Sequence, residues 1–163
     1  MIQLLPLGNA DLKLIEWLAE RLREIFKTDV KILPAISLPS HCYSRRGQFN
    51  STCIIFALKV AERTLAITSE DLYAKGLNFV FGEAELGGLR AVVSYYRLRF
   101  GADDEKLKER LLKEAVHELG HTFGLQHCKK IGCVMNFSNN VLEVDEKSWN
   151  FCSVCSSKLG IRK

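Results

Sequence analysis

Apolar and polar positions recur along this chain with two periods, and each change of period marks an element. Residues 2–7 are a short, mostly apolar run that reads as a strand. Over residues 11–27 the apolar positions Leu12, Ile15, Leu18, Leu22, Ile25 and Phe26 fall mostly three and four apart. That is the spacing of an amphipathic helix, with Asn9 or Asp11 placed to cap it. Residues 30–36 read as the next strand, ended by Pro39. Residues 40–50 are polar and contain Arg45, Arg46 and Gly47, so an exposed loop is expected, its two arginines solvated rather than holding a substrate carboxylate. Residues 51–63 are predicted helical, and residues 65–68, 78–83 and 90–98 are predicted strands. A longer helix is predicted over residues 104–123, with its apolar stripe on Leu111, Leu112, Ala115, Val116, Leu119 and Phe123. Helices alternating with strands argue for an α+β domain, a mixed twisted sheet covered by helices.

Composition narrows the class. A chain of 163 residues supports one good core and is short for two, and at 47% hydrophobic it is no disordered segment. The net charge of +4 is spread out, without a Lys/Arg block or interleaved aromatics, so no nucleic-acid partner is expected. No charge-free run approaches the length that spans a bilayer, so no membrane partner is expected. Residues 1–6 show neither a basic region nor a long apolar segment of the secretory kind. A cytoplasmic monomer is the expectation.

The chemistry concentrates in eleven residues, His117-Glu118-Leu119-Gly120-His121-Thr122-Phe123-Gly124-Leu125-Gln126-His127, which match the template HExxHxxGxxH. On a helix His117 and His121 are four apart and share one face, close enough to share an ion. Glu118 is one position round, suited to touch a water beside that ion. Gly124 accepts a positive φ at little cost, so the chain can turn there and return His127 as a third ligand. Three imidazoles with a fourth position open are a catalytic zinc set. His117 and His121 lie away from the centre of the apolar stripe, on the side of Lys106, Arg110, Lys113 and Glu114, which reads as the wall of a cleft.

Cys128 follows His127 directly, Cys133 comes five residues on, and Cys152 and Cys155 form a C-x-x-C pair. Two short-spaced thiol pairs have the spacing of a tetrahedral, closed and therefore structural zinc site. Two disulfides are the competing reading, and iron is a competing ion for an all-thiolate set. His41 and Cys42 have no visible partner, and Cys53 reads as a buried thiol.

With Cys133-Val134-Met135 these motifs resemble the metzincin zinc peptidases and, by the cysteine after the third histidine, C-x-M and C-x-x-C, the archaemetzincins in particular. The matching residues run only from His117 to Cys155. The resemblance implies a metzincin-like fold with an antiparallel edge strand, an active-site helix and a small C-terminal part closed by the four cysteines. It places a boundary at 124/125, with residues 1–124 and 125–163 as two subdomains of one catalytic domain. It implies that Met135 forms a Met-turn, an apolar floor under the histidines. Phe137 departs from those metzincins that carry a tyrosine two residues past the methionine, so oxyanion stabilisation must come from another group.

The expected activity is hydrolysis of a peptide or protein substrate by a zinc metallopeptidase with two zinc ions per chain. Glu118 would take a proton from the attacking water and pass it to the leaving amine. Endo- and aminopeptidase action stay open. A zinc-bound module that recognises peptides without cleaving them is the alternative. Residues 79–88 suggest an edge strand for substrate, with Gly87 and Gly88 either admitting a peptide backbone closely or forming an ordinary hairpin turn.

Overall fold

The computed structural model describes residues 1–44 and 46–160; Arg45, one of the two loop arginines, lies outside them. Five strands form the main sheet: β1 (Ile2–Pro6), β2 (Val30–Ile32), β4 (Arg63–Thr68), β6 (Gly82–Ala84) and β7 (Arg90–Ser94). Their order is β2-β1-β4-β7-β6, parallel throughout except for the antiparallel β6–β7 pair at one edge. β3 (Phe49–Asn50) and β5 (Leu72–Tyr73) make a separate parallel pair. The helices are α1 (Leu12–Phe26), α2 (Ser51–Ala57), α3 (Asp104–Thr122), α4 (Val141–Glu146) and α5 (Ser153–Leu159).

Alternation along the strands divides the apolar side chains between two cores. Ile2, Leu4, Leu65, Ile67, Ala91 and Val93 face one side and pack with Leu14, Ile15, Leu18 and Leu22 of α1 and Leu111, Ala115, Val116 and Leu119 of α3. Leu5, Leu7, Ala66 and Val92 face the other and pack with Ile54 and Ile55 of α2 and with Leu58 and Leu72. The helix starts are capped as polar side chains allow. The Asp11 carboxylate accepts from the N–H groups of Lys13 and Leu14, and Asp103 from that of Lys106.

Several elements end sooner than the sequence suggests, each because a side chain or a backbone group finds another partner. α2 stops at Ala57, and the Leu58 carbonyl then accepts from Arg90 Nη1 at 3.1 Å. β7 stops at Ser94, and Arg97 in the following 3-10 turn makes a two-point ion pair with Asp71. Of the strand expected over residues 78–83 only Gly82 and Glu83 fall in β6, which runs on to Ala84. The segment before it is held from outside: Gln48 Nε2 donates to the Asn78 carbonyl, and Arg97 lies over the Phe79 ring at 4.2 Å.

The polar side of α3 is not a solvated wall. Arg110, Lys113 and Glu114 are buried under the chain that follows the helix. Arg110 makes a two-point ion pair with Asp145, Lys113 donates to the Val144 carbonyl, and Glu114 pairs with Lys147 at 3.0 Å. The expected cleft wall is therefore confined to the C-terminal turns of α3. Cys53 is not a thiol either: it forms a disulfide with Cys42, joining a 3-10 turn (Ser40–Cys42) to α2 across 11 residues of sequence. The expected buried thiol missed this pairing because nothing in the sequence brings residues 42 and 53 together. Among the described residues, no helix is long and apolar enough to cross a membrane.

Candidate metal centre and cleft

α3 carries His117, Glu118 and His121 on its last two turns and ends at Thr122. Gly124 then takes a φ of 96°, and the Leu125 N–H closes back on the Gly120 carbonyl at 3.1 Å. This reversal returns His127 to the other two rings. Ring nitrogens of His117, His121 and His127 all lie within 4.8 Å of one another, and the Nε2 atoms of His117 and His121 are 3.1 Å apart. The remaining nitrogen of each helical histidine is committed: His117 Nδ1 donates to the Val134 carbonyl at 2.8 Å and His121 Nδ1 to the Leu125 carbonyl at 2.6 Å. Those bonds fix ring orientation and leave each Nε2 with a lone pair aimed at a common centre. Burial lowers all three imidazole pKa values, His117's furthest, and the Lys147 ammonium adds to this at each. Neutral imidazole is the ligand form, so the donor set fits zinc.

Glu118 is buried beside this triangle, under β6. A Cβ on Gly82 would stand 2.5 Å from the Val92 carbonyl oxygen and 2.7 Å from Glu118 Oε2. Only glycine lets the edge strand lie this close to the carboxylate. Burial, then the neighbouring carboxylates Glu114 and Glu83, raise the Glu118 pKa well above the usual range, while Lys147 opposes them. Gly82→Ala is therefore expected to displace either β6 or Glu118 and to lower any hydrolysis that uses this carboxylate, while metal content stays unchanged. Steady-state kinetics beside metal analysis checks this; wild-type activity in that variant would mean the packing here is loose.

Met135 is fully buried on the other side of the helix end. Its Sδ would be 2.6 Å from a Cβ at Gly120, so the methionine packs directly on the helix backbone between His117 and His121. Gly82, Gly120, Glu83 and the Glu114–Lys147 pair escaped the reading of the sequence. Gly120 did leave a signal, since glycine inside a helix costs about 1 kcal/mol relative to alanine and implies a close neighbour. Lys147 Nζ also donates to the Asn136 carbonyl at 2.9 Å, tying the residue after Met135 to α3 through Glu114.

A cleft of about 570 Å³ opens over the histidines, lined on one side by the segment from Ala74 to Leu86 and on the other by Phe137 to Asn139. Phe137 is 54% exposed at its rim, its ring 5.2 Å from that of His127. Gly87 and Gly88 do not line it. They form the β6–β7 hairpin turn: the Gly87 N–H is already taken by the His121 carbonyl and the Gly88 N–H by that of Glu85. The open edge is β6 itself. Ser94 N–H donates to the Phe81 carbonyl and Glu85 N–H to that of Arg90, so alternation turns the backbone groups of Gly82 and Ala84 outward. On the inner side Glu83 accepts from the hydroxyls of Ser51 and Thr52, at 2.6 and 2.8 Å, which ties the edge strand to α2.

The four cysteines converge as well. Their sulfurs lie within 4.8 Å of one another, with Cys128–Cys152 and Cys133–Cys155 each at 3.9 Å, too far for disulfides. Although burial opposes it, hydrogen bonds from the Cys155 N–H and the neighbouring thiols bring the Cys152 thiol down to about 7. A closed set of four sulfurs fits a structural zinc ion.

The profile of peptidase family M54 matches residues 26–161. An archaemetzincin of Archaeoglobus fulgidus is 53% identical over 146 residues, covering 89% of this chain and 90% of the relative. The crystal structure of archaemetzincin from that organism, complexed with malonate, superposes with a TM-score of 0.91 at 49% identity, covering 97% of this chain and 99% of that one. A zinc-dependent peptidase from Methanocorpusculum labreanum gives a TM-score of 0.88 at 29% identity, covering 98% of this chain and all of the other.

Proposed function

The chain belongs to peptidase family M54, and from that premise we propose that it is a zinc metallopeptidase whose His117, His121 and His127 hold the catalytic ion and whose Glu118 is the general base. The observation that carries this reading is the convergence of three imidazole nitrogens within 4.8 Å while both helical Nδ1 atoms are bound to carbonyls. Zinc, when bound, supplies a Lewis acid that polarises the scissile carbonyl and acidifies water.

The chain's own groups do the rest. Glu118, wedged against Gly82, takes the proton of the attacking water and delivers it to the leaving amine. Met135 supports the helix backbone from below, and Gly124 and the turn after it bring in His127. Cys128, Cys133, Cys152 and Cys155 hold a second, structural zinc. A peptide binds extended along the outer edge of β6, its backbone meeting the outward groups of Gly82 and Ala84. Phe137 shields one side of the cleft but offers no hydroxyl, so the developing oxyanion relies on the metal or on backbone amides.

The test is incubation of the zinc-loaded protein with a diverse short-peptide library, read by mass spectrometry. Products are expected that vanish on chelation and return when zinc is restored. Failure to cleave any member, with zinc counted in both sites, would overturn the peptidase reading in favour of a peptide-binding module.

A further inference from the structure

His41, Cys42 and Cys53 remain outside the sites described so far, yet the fold gathers them. A ring nitrogen of His41 and the two sulfurs lie within 4.8 Å of one another, where the 3-10 turn meets the first half of α2. Cys42 is buried, Cys53 half-buried and His41 exposed, and no carboxylate belongs to the group. A disulfide alone needs no imidazole beside it. One ring nitrogen of His41 already stands within 4.8 Å of both sulfurs. Two thiolates and one imidazole, with a fourth position left to water, are a zinc ligand set of borderline-soft donors.

We propose that Cys42, Cys53 and His41 form a third, redox-gated site, which binds a zinc ion in its dithiol form and gives it up when the two sulfurs join. A small dithiol reductant supplies two electrons and two protons, cleaving the S–S bond to two thiols while it closes to its own cyclic disulfide. Zinc then displaces one proton from each thiol to solvent. In the reverse direction a small cyclic disulfide takes two electrons from the protein sulfurs and two protons from solvent to become a dithiol, while the two protein sulfurs join and the zinc ion is released. The site shares no residue with the other two metal sets. Cys53 directly follows Ser51 and Thr52, whose hydroxyls hold Glu83 of the edge strand, so the site lies next to that anchor.

The test compares wild type, Cys53→Ser and His41→Ala, with their other metal sites loaded with zinc, reduced without oxygen and desalted. Thiol titration should first show two additional free thiols in reduced wild type relative to oxidised wild type. Zinc content should then be one ion per chain higher in reduced wild type than in oxidised wild type or in reduced Cys53→Ser. His41→Ala should hold this extra ion at least about tenfold more weakly against a chromophoric chelator. Cobalt in place of zinc gives a second readout, an added thiolate-to-cobalt absorption band in reduced wild type only. Equal zinc in reduced wild type and Cys53→Ser would overturn the site. Undiminished affinity in His41→Ala would reduce it to a nonspecific dithiol, and a bridge that cannot be reduced in the folded protein would remove the gate.

Discussion

Replacing Glu118 with glutamine is expected to leave the metal content unchanged and to lower peptide hydrolysis by about two to four orders of magnitude. The amide matches the carboxylate in size, so it fills the space under Gly82, where an added Cβ would come within 2.7 Å of Oε2. Neither histidine on α3 depends on Glu118 for orientation, since their Nδ1 atoms are held by the Val134 and Leu125 carbonyls. What the substitution removes is the ability to accept a proton. Burial beside Glu114 and Glu83 already raises the Glu118 pKa, which brings its basicity closer to that of a useful proton acceptor, while a dication beside it acts in the opposite sense. The check is kcat/KM on a cleaved peptide beside zinc counted by mass spectrometry. Turnover within a few-fold of wild type would remove Glu118 from the mechanism; loss of zinc would make it a positioning or ligand group instead.

Cys152→Ser should produce the largest loss of stability. Cys152 is both a member of the four-sulfur cluster and the cap of α5, its Sγ accepting the Cys155 N–H at 3.5 Å. Serine is a good cap, so the substitution keeps the helix start and removes a metal donor. Structural zinc contributes about 10–16 kcal/mol in small zinc-folded peptides, comparable to the whole stability of an ordinary domain. Losing even about 5 kcal/mol of that would lower the melting temperature by about 10–20 °C in a chain of this size. Calorimetry with metal analysis tests this. An unchanged melting curve would mean that the cluster is held by packing alone.

Elements with strong periodicity were legible without coordinates. α1 and α3 fall within a residue or so of their expected limits because a cap and an apolar stripe agree in each. The convergence of the three histidines and of the four cysteines was legible because such spacing is largely local in sequence. What escaped reading depends on contacts far apart along the chain. Gly82 is a glycine because of Glu118, and Gly120 because of Met135. Arg110 and Lys113 looked like surface residues until Asp145 and the Val144 carbonyl covered them. β6 was placed too early because residues 78–80 are held by Gln48, by Arg97 and by Leu72 of β5 rather than by the main sheet.

His127 and Cys128 are consecutive residues, and the Cys128 N–H is bonded to the Met135 carbonyl at 2.9 Å. One peptide unit thus joins the last donor of the histidine set to the first donor of the cysteine set. An ion that fixes Cys128 also restricts where His127 can go, so filling the sulfur site lowers the entropy still to be lost at the imidazole site. Such a coupling is reciprocal by thermodynamic necessity: whatever factor one occupancy lends to the affinity of the other is returned unchanged. With an ion in each set, the apparent affinity for one would be a function of how far the other had been filled, and removing either would loosen the grip on its neighbour.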